Sequence, residues 1–366
     1  MLRRFPVLLL CALKLIVVCG PLNGSERGIV KQEFLFESAP FPESHASTIE
    51  NTSAGLITAW FAGTAEKNPD VGIWVSRRLE NKWSTPREVT NGIQYRKPDG
   101  KVHRHACWNP VLFNPSSRPL LLFYKCGPTP LTWWGMLMTS TDHGKTWSSP
   151  RRLPEGILGP VRSKPIQLPN GDLLCGSSTE FPDWQVHFEH TSDLGQTWTR
   201  IGPVKNNTGE GVIQPSLLRH ANGKLQAFFR TESGQSSMGQ SWSSDNGKTW
   251  SPIEGTTLPN SSSGIEALSL KDGRHLLVYN HTHGTGPFPN YRDVLNVAVT
   301  EDGLQWKAAV TLDLGEDGEF GYPAAIQTDD GLVHVTYTWY RKRIRHVVLD
   351  PSKFELREIK DGRWPK

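Results

Sequence analysis

Two arginines, a tyrosine and a histidine are the side chains of this 366-residue chain whose chemistry stands out. Arg230 follows an apolar run in Phe228-Phe229-Arg230-Thr231-Glu232-Ser233, and Arg292 lies in Tyr291-Arg292-Asp293-Val294-Leu295. Two guanidiniums that converge on one pocket grip a carboxylate or sulfate by charge-assisted, often bidentate hydrogen bonds, so an acidic sugar is their natural ligand. Tyr322, in Phe320-Gly321-Tyr322-Pro323, would have its phenol pKa lowered beside two such cations, as a tyrosine nucleophile or base requires. On residue type alone, a tyrosine in a strand is ordinarily core. If His45 faces Tyr322, an imidazole and a phenol beside a neutralised carboxylate can abstract the proton α to it, which is lyase chemistry. Arg104, Arg162, Lys164 and Arg341 fall on or near loops that would add to the positive field, although such residues are more often solvated or paired locally. His281 and His283 have a metal-compatible spacing, but no second ligand pair accompanies them, and no metal or cofactor is expected.

These residues are scattered over the chain, so something must gather them. A short box does so: Ser140-Thr141-Asp142-His143-Gly144-Lys145-Thr146-Trp147. It returns at Asp193 and Asp245 and, in worn form, at Asp302, the aspartates being 51, 52 and 57 positions apart. A period near 50 marks an array of supersecondary units. Each box reads as a hairpin turn in which Asp bonds nearby main chain, Gly takes a positive φ, and Trp supplies an apolar body to bury against a neighbouring unit. The box aspartates are structural rather than catalytic.

Composition agrees. There are 14 Trp, 34 Gly and 27 Pro with few helical patterns, and the net charge of +4 is mild, which argues against nucleic acid or an anionic membrane surface as partner. Residues 1–24 carry a basic head and an apolar middle, the pattern of a secretory leader that is removed, leaving residues 25–366 as one domain, secreted or periplasmic. Of the five cysteines, Cys107, Cys126 and Cys175 lie outside that leader. This is no disulfide framework, although Cys107 and Cys126 would suit one bridge across adjacent strands. Asn51, Asn206, Asn260 and Asn280 begin glycosylation sequons, meaningful only in a eukaryotic secretory route.

Read in order, the units repeat a strand, a tight turn, a second and a third strand, and the boxed hairpin into a fourth. The first unit lacks the box but keeps Trp83, and a sixth runs from Tyr322 to Val348. The expected fold is all-β, a six-bladed β-propeller with four-stranded antiparallel blades, with a segment near Glu33 completing the last blade. Trp60, Trp74, Trp108, Trp133, Trp134, Trp184 and Trp339 lie outside the boxes, and packing between blades is the expected role of most.

Boxes of this form on six blades resemble the sialidase (neuraminidase) superfamily over nearly the whole mature chain. The resemblance implies an arginine triad for a sialic acid carboxylate, a Tyr paired with a Glu as nucleophile, and an Asp on a loop as acid/base, the tyrosine setting this superfamily apart from most glycosidases. It places Arg230 and Arg292 as the second and third arginines, Tyr322 as the nucleophile, and Asp70 or Glu66 as the acid. Two positions differ. His45, in Glu43-Ser44-His45-Ala46-Ser47-Thr48, stands nearest where the first arginine is expected, and Gln214, in Ile213-Gln214-Pro215-Ser216, stands where the glutamate is expected. Gln can orient a phenol but cannot accept its proton. The expected activity is an exo-acting glycoside hydrolase that releases an acidic sugar; the alternatives are a lyase acting through His45 and Tyr322, or a glycan-binding propeller without turnover.

Overall fold

The computed structural model describes residues 27–116, 119–233, 236–282, 292–315 and 318–365. The expected leader, His283 and Tyr291 therefore lie outside the described residues.

Six antiparallel sheets follow one another along the chain, each built on four strands, with a fifth added in blades I and V. Blade I runs through Glu43–Thr52, Gly55–Gly63 and Gly72–Leu79, with Lys82–Trp83 and Arg87–Thr90 outside; blade II through Cys107–Phe113, Leu120–Cys126, Trp134–Ser140 and Arg151–Arg152. Blade III has Ile166–Gln167, Leu173–Thr179, Gln185–Thr191 and Thr199–Ile201; blade IV has Val212–Arg219, Leu225–Thr231, Ser237–Ser243 and Glu254–Pro259. Blade V has Glu266–Ser269, His275–Tyr279, Val294–Thr300 and Lys307–Leu314, and gains Arg357–Glu358 at its outer edge. Blade VI has Phe320–Gln327, Val333–Trp339 and Arg343–Leu349, and its fourth strand is Ile29–Phe34 from the start of the described chain. This six-bladed ring agrees with the expectation from the boxes, and Glu33 stands opposite His346 in the closing strand pair.

The boxes lock the ring. Asp142 accepts from Ser140 Oγ at 2.8 Å and from Thr146 N and Oγ1 at 2.8 and 2.6 Å, and Asp193 and Asp245 repeat the pattern. Gly247 has φ +83°, and a Cβ there would lie 2.4 Å from Leu174 Cδ2 of the preceding blade. Three of the four boxed Trp also reach back onto an aromatic ring: Trp198 onto Phe123, Trp250 flat on Phe188 at 3.9 Å between centroids, and Trp306 onto Phe228. Burial against the previous blade is what the box provides. Cys107 and Cys126 stand opposite each other in blade II, yet both are free buried thiols.

An up-and-down blade fixes the two faces of the ring. Inner strands start at one face, so the connections between second and third strands share that face and the boxed turns between third and fourth strands lie on the other. His45, Gln214 and Tyr322 are at the starts of inner strands; the Glu66–Asp70 loop, Arg230, Arg292 and Arg341 flank second-to-third connections. The scaffold motif and the candidate chemistry thus occupy opposite faces.

Candidate active site on the propeller axis

The inner strands of blades I, II, IV and VI do not enter the ring as regular β. In each, the ladder slips at the first turn of the strand, opposite or beside Ala46, Asn109, Gln214 and Tyr322, and these four residues have φ of +53°, +40°, +56° and +53°. Three of them precede a proline, Pro110, Pro215 and Pro323, which has no N–H to offer the ladder. A bulge re-aims a side chain at the cost of pairing. The backbone amide freed at Ala46 donates to Thr338 Oγ1 at 3.1 Å, and that of Gln214 to Ser178 Oγ at 3.1 Å, each in the neighbouring blade. Positive φ in non-glycine residues costs on the order of 1–3 kcal/mol each, and its recurrence where the strands reach the axis is a mark of a working site.

Tyr322 is the centre. Arg230 Nη1 donates to its Oη at 2.8 Å, and the guanidinium carbons of Arg292 and Arg162 lie 5.1 and 5.3 Å from its ring centroid. The His45 ring packs against it at 4.3 Å between centroids. Burial alone would raise the phenol's pKa; Arg230 and Arg292 reverse that, Glu66 opposes them, and a hydrogen bond from the Gln214 side chain adds to the lowering, so the net shift is downward from 10.0. Burial holds His45 well below its ordinary pKa, and Arg341, Arg292, Arg162 and Arg230 push it the same way, so this imidazole is neutral. Its Nδ1 is buried with no hydrogen-bond partner among the described residues.

The arginines divide by what they already hold. Arg162 is structural: Nη1 bonds Ser163 Oγ, the Ile265 carbonyl and Glu266, and Nη2 bonds the Pro323 carbonyl, which ties blades III, V and VI together beneath Tyr322. Both of its terminal nitrogens are engaged, which is not what a substrate-binding role for Arg162 calls for. Lys164, two residues on, is placed away from the phenol, with Glu50 at 3.1 Å and the Leu112 carbonyl at 2.8 Å. Arg104 contributes its charge near Asp70 and Glu88 rather than at Tyr322. Arg292 is buried and pairs with Glu319 at 3.2 Å, and Arg341 bridges Glu319 at 2.7 Å and Glu66. Arg230 differs from these. It bonds the neutral Ser262 hydroxyl at 3.1 Å and Tyr322, stacks on Trp184 at 5.0 Å, and has no carboxylate partner among the described residues.

The carboxyls also sort themselves. Asp70 is exposed and accepts from both the amide and the hydroxyl of Thr64; burial would raise its pKa, but those bonds lower it from 3.8. Glu66 is held in the ion pair with Arg341. Glu180, in the connection after the second strand of blade III, has Arg230, Glu66 and Lys67 as its charged neighbours, and burial pushes its carboxyl upward despite Arg230. Reading the sequence alone overlooks Glu180, Glu319 and Ser262, since no box or repeat points to the connections that carry them. Their only signal is position, on loops that this topology sends to the functional face.

A six-bladed propeller with a tyrosine and arginines at its axis defines the class of protein to which this chain is to be compared. Residues 54–335 match the family described as BNR repeat-like domain, and the chain belongs to that family, within the sialidase superfamily. A curated sialidase of Bacteroides fragilis (strain YCH46) is 24% identical over 245 residues, covering 60% of this chain and 41% of the relative, so the match spans well under half of that protein. The crystal structure of a protein of unknown function from Dyadobacter fermentans DSM 18053 superposes with TM-score 0.69 at 19% identity, covering 89% of this chain and 99% of that one. The NanB sialidase of Streptococcus pneumoniae gives TM-score 0.69 at 13% identity, covering 88% and 71%. At such identities the structural likeness shows the shared fold.

Proposed function

We propose that this protein is an exported glycoside hydrolase that removes an acidic sugar, sialic acid or a sugar of similar charge, from the end of a glycan. The observation that carries the reading is the Arg230–Tyr322 pair: a guanidinium without a carboxylate partner among the described residues, 2.8 Å from a buried phenol whose pKa is pulled down. Arg230 and Arg292 grip the substrate carboxylate, and the phenolate of Tyr322 attacks or stabilises the anomeric carbon. Gln214 orients the phenol. The proton for the leaving oxygen comes from a carboxyl at the mouth, Asp70 once Thr64 releases it, with Glu66 or Glu180 as the other acids within the same rim. His45, neutral and apolar on one face, shapes the wall beside the sugar. Export is the destination that the leader implies, and it puts extracellular or periplasmic glycans within reach.

One contact favours a second reading. His45 and Tyr322 pack at 4.3 Å, and the phenol's side-chain hydrogen bonds are to Arg230 and Gln214 rather than to a carboxylate, an arrangement suited to β-elimination from a uronate held by Arg230. Incubation with sialosides and with uronate oligosaccharides separates the two: free acidic monosaccharide supports hydrolysis, an unsaturated uronate product supports elimination. Neither product, with glycan binding retained, overturns both.

A further inference from the structure

A line of packed aromatic rings, buried as far as Trp108, joins Tyr322 to one side of the functional face. It runs from Tyr322 through His45, Phe61 and Trp108 to Trp133, with successive centroids 4.3, 5.4, 6.1 and 5.9 Å apart. Trp133 and its neighbour Trp134 line a groove of about 290 Å³ together with Leu131, Phe181, the cations Arg152 and Arg200 and the carboxyls Glu155 and Glu180. Leu131 is 54% and Phe181 68% exposed, unusual for large apolar side chains beside a pocket. A second line of rings continues across the groove's edge: His105 packs on Trp134 at 5.6 Å, His103 on His105 at 4.9 Å, and Tyr95 lies nearly parallel to His103 at 4.8 Å.

Tyr95 and His103 belong to a two-stranded ribbon, Ile93–Arg96 paired with Val102–Arg104, in the connection between blades I and II. That connection opens on the same face as Tyr322. The ribbon carries Arg96, Lys97, Lys101 and Arg104 against one acid of its own, Asp99, which Lys101 engages through its ammonium at 3.6 Å and its backbone amide at 2.9 Å, while Arg104 has Asp70 and Glu88 near it. Arg152 lies over the Trp134 ring at 4.7 Å and has an exposed partner, Glu155, at 3.4 Å. Flat apolar faces alternating with cations suit a chain of sugar rings that bears a negative charge at intervals, since rings stack on the aromatic faces and carboxylates meet the guanidinium and ammonium groups. We infer that the 93–104 ribbon and the Trp134–Phe181 groove form an extended binding track for a uronate-bearing polysaccharide. This rests on the proposed function in one respect: the track's occupant is the remainder of the glycan whose terminal acidic sugar meets Arg230 and Tyr322.

Affinity electrophoresis in gels containing polygalacturonate tests the inference, with dextran as the neutral glycan and polyglutamate as a polyanion without sugar rings. The full chain is retarded by polygalacturonate and by neither of the others. The triple variant Tyr95→Ser, Arg96→Gln, Lys97→Gln, all exposed ribbon positions, loses about tenfold in affinity, while its turnover of a small aryl glycoside stays within about twofold of wild type. Trp134→Ala gives the same loss from the other end of the track. No retardation, equal retardation in polyglutamate, or retardation unchanged in the triple variant overturns the track. Failure of the proposed function has a different signature, because a protein that turns over no acidic glycoside can still be retarded, and retardation is read without turnover.

Discussion

Replacing Arg230 by Gln removes two things at once, and separate assays read them. The side chain is half-buried and carries no ion pair among the described residues, so its loss leaves no carboxylate stranded and the fold is little affected. The phenol of Tyr322 loses the foremost of the charges that lower its pKa and moves upward, since burial then meets less opposition. The substrate loses a desolvated, hydrogen-bonded charge partner, a loss of about 2–5 kcal/mol, which is roughly 30-fold to several thousandfold in kcat/KM. Arg230→Lys recovers part of this, because a point charge replaces the field but cannot both fork a carboxylate and hold the phenol and Ser262. The assay is kcat/KM on an acidic aryl glycoside, with the Tyr322 titration followed by ultraviolet absorbance against a Tyr322→Phe reference. An Arg230→Gln enzyme within about threefold of wild type on an anionic substrate would refute the reasoning, as would a Tyr322 titration that does not move.

Three further outcomes follow from the same coordinates. Arg162→Met strands Glu266, whose side chain is 3% exposed, and costs about 3–5 kcal/mol in urea unfolding; Arg162→Met with Glu266→Leu recovers most of it, and an additive double variant contradicts the pairing. Gly247→Ala is strained by φ and by Leu174, whereas Gly171→Ala, at φ +89° in open space, is strained by φ alone, so the first lowers Tm more; equal shifts would deny the boxes their role between blades. Stability falls as pH drops from 6.5 to 4. His334 and His275, driven chiefly by burial, have folded pKa values of about 4 against 6.5, so below 6.5 the unfolded chain binds protons that the folded chain refuses. Glu33, whose folded pKa is about 2 against 4.5, adds a loss between those values, when the closing strand gives up its bond to His346. A Tm that is flat from pH 7 to pH 4 would contradict this.

The ring was readable from the chain because the box is a local object: Ser140, Asp142, Gly144 and Thr146 satisfy one another within seven residues, and their return at a near-fixed interval reports the blades directly. Arg230, Arg292 and Tyr322 were legible as candidates because each follows or precedes such a landmark. The remainder depended on partners far apart in sequence. Nothing local reveals that Arg162 is taken up by carbonyls of Ile265 and Pro323, more than a hundred residues away, or that Lys164 meets Glu50. Glu319 and Glu180 sit in connections without a pattern, and their weight comes from facing Arg292, Arg341 and Arg230. The bulges are an intermediate case. The x-Pro steps at Asn109, Gln214 and Tyr322 are visible in the sequence, but that they turn the backbone to positive φ at the axis is a property of the assembled ring.

The central claim is that Tyr322, poised between Arg230 and Arg292, acts on an acidic sugar. Mass analysis of products from a panel of acidic glycans treated with wild-type protein and with Tyr322→Phe tests it most directly. The account predicts an acidic mono- or oligosaccharide product from the wild type and none from a folded Tyr322→Phe protein. Product formation undiminished in that variant would contradict it.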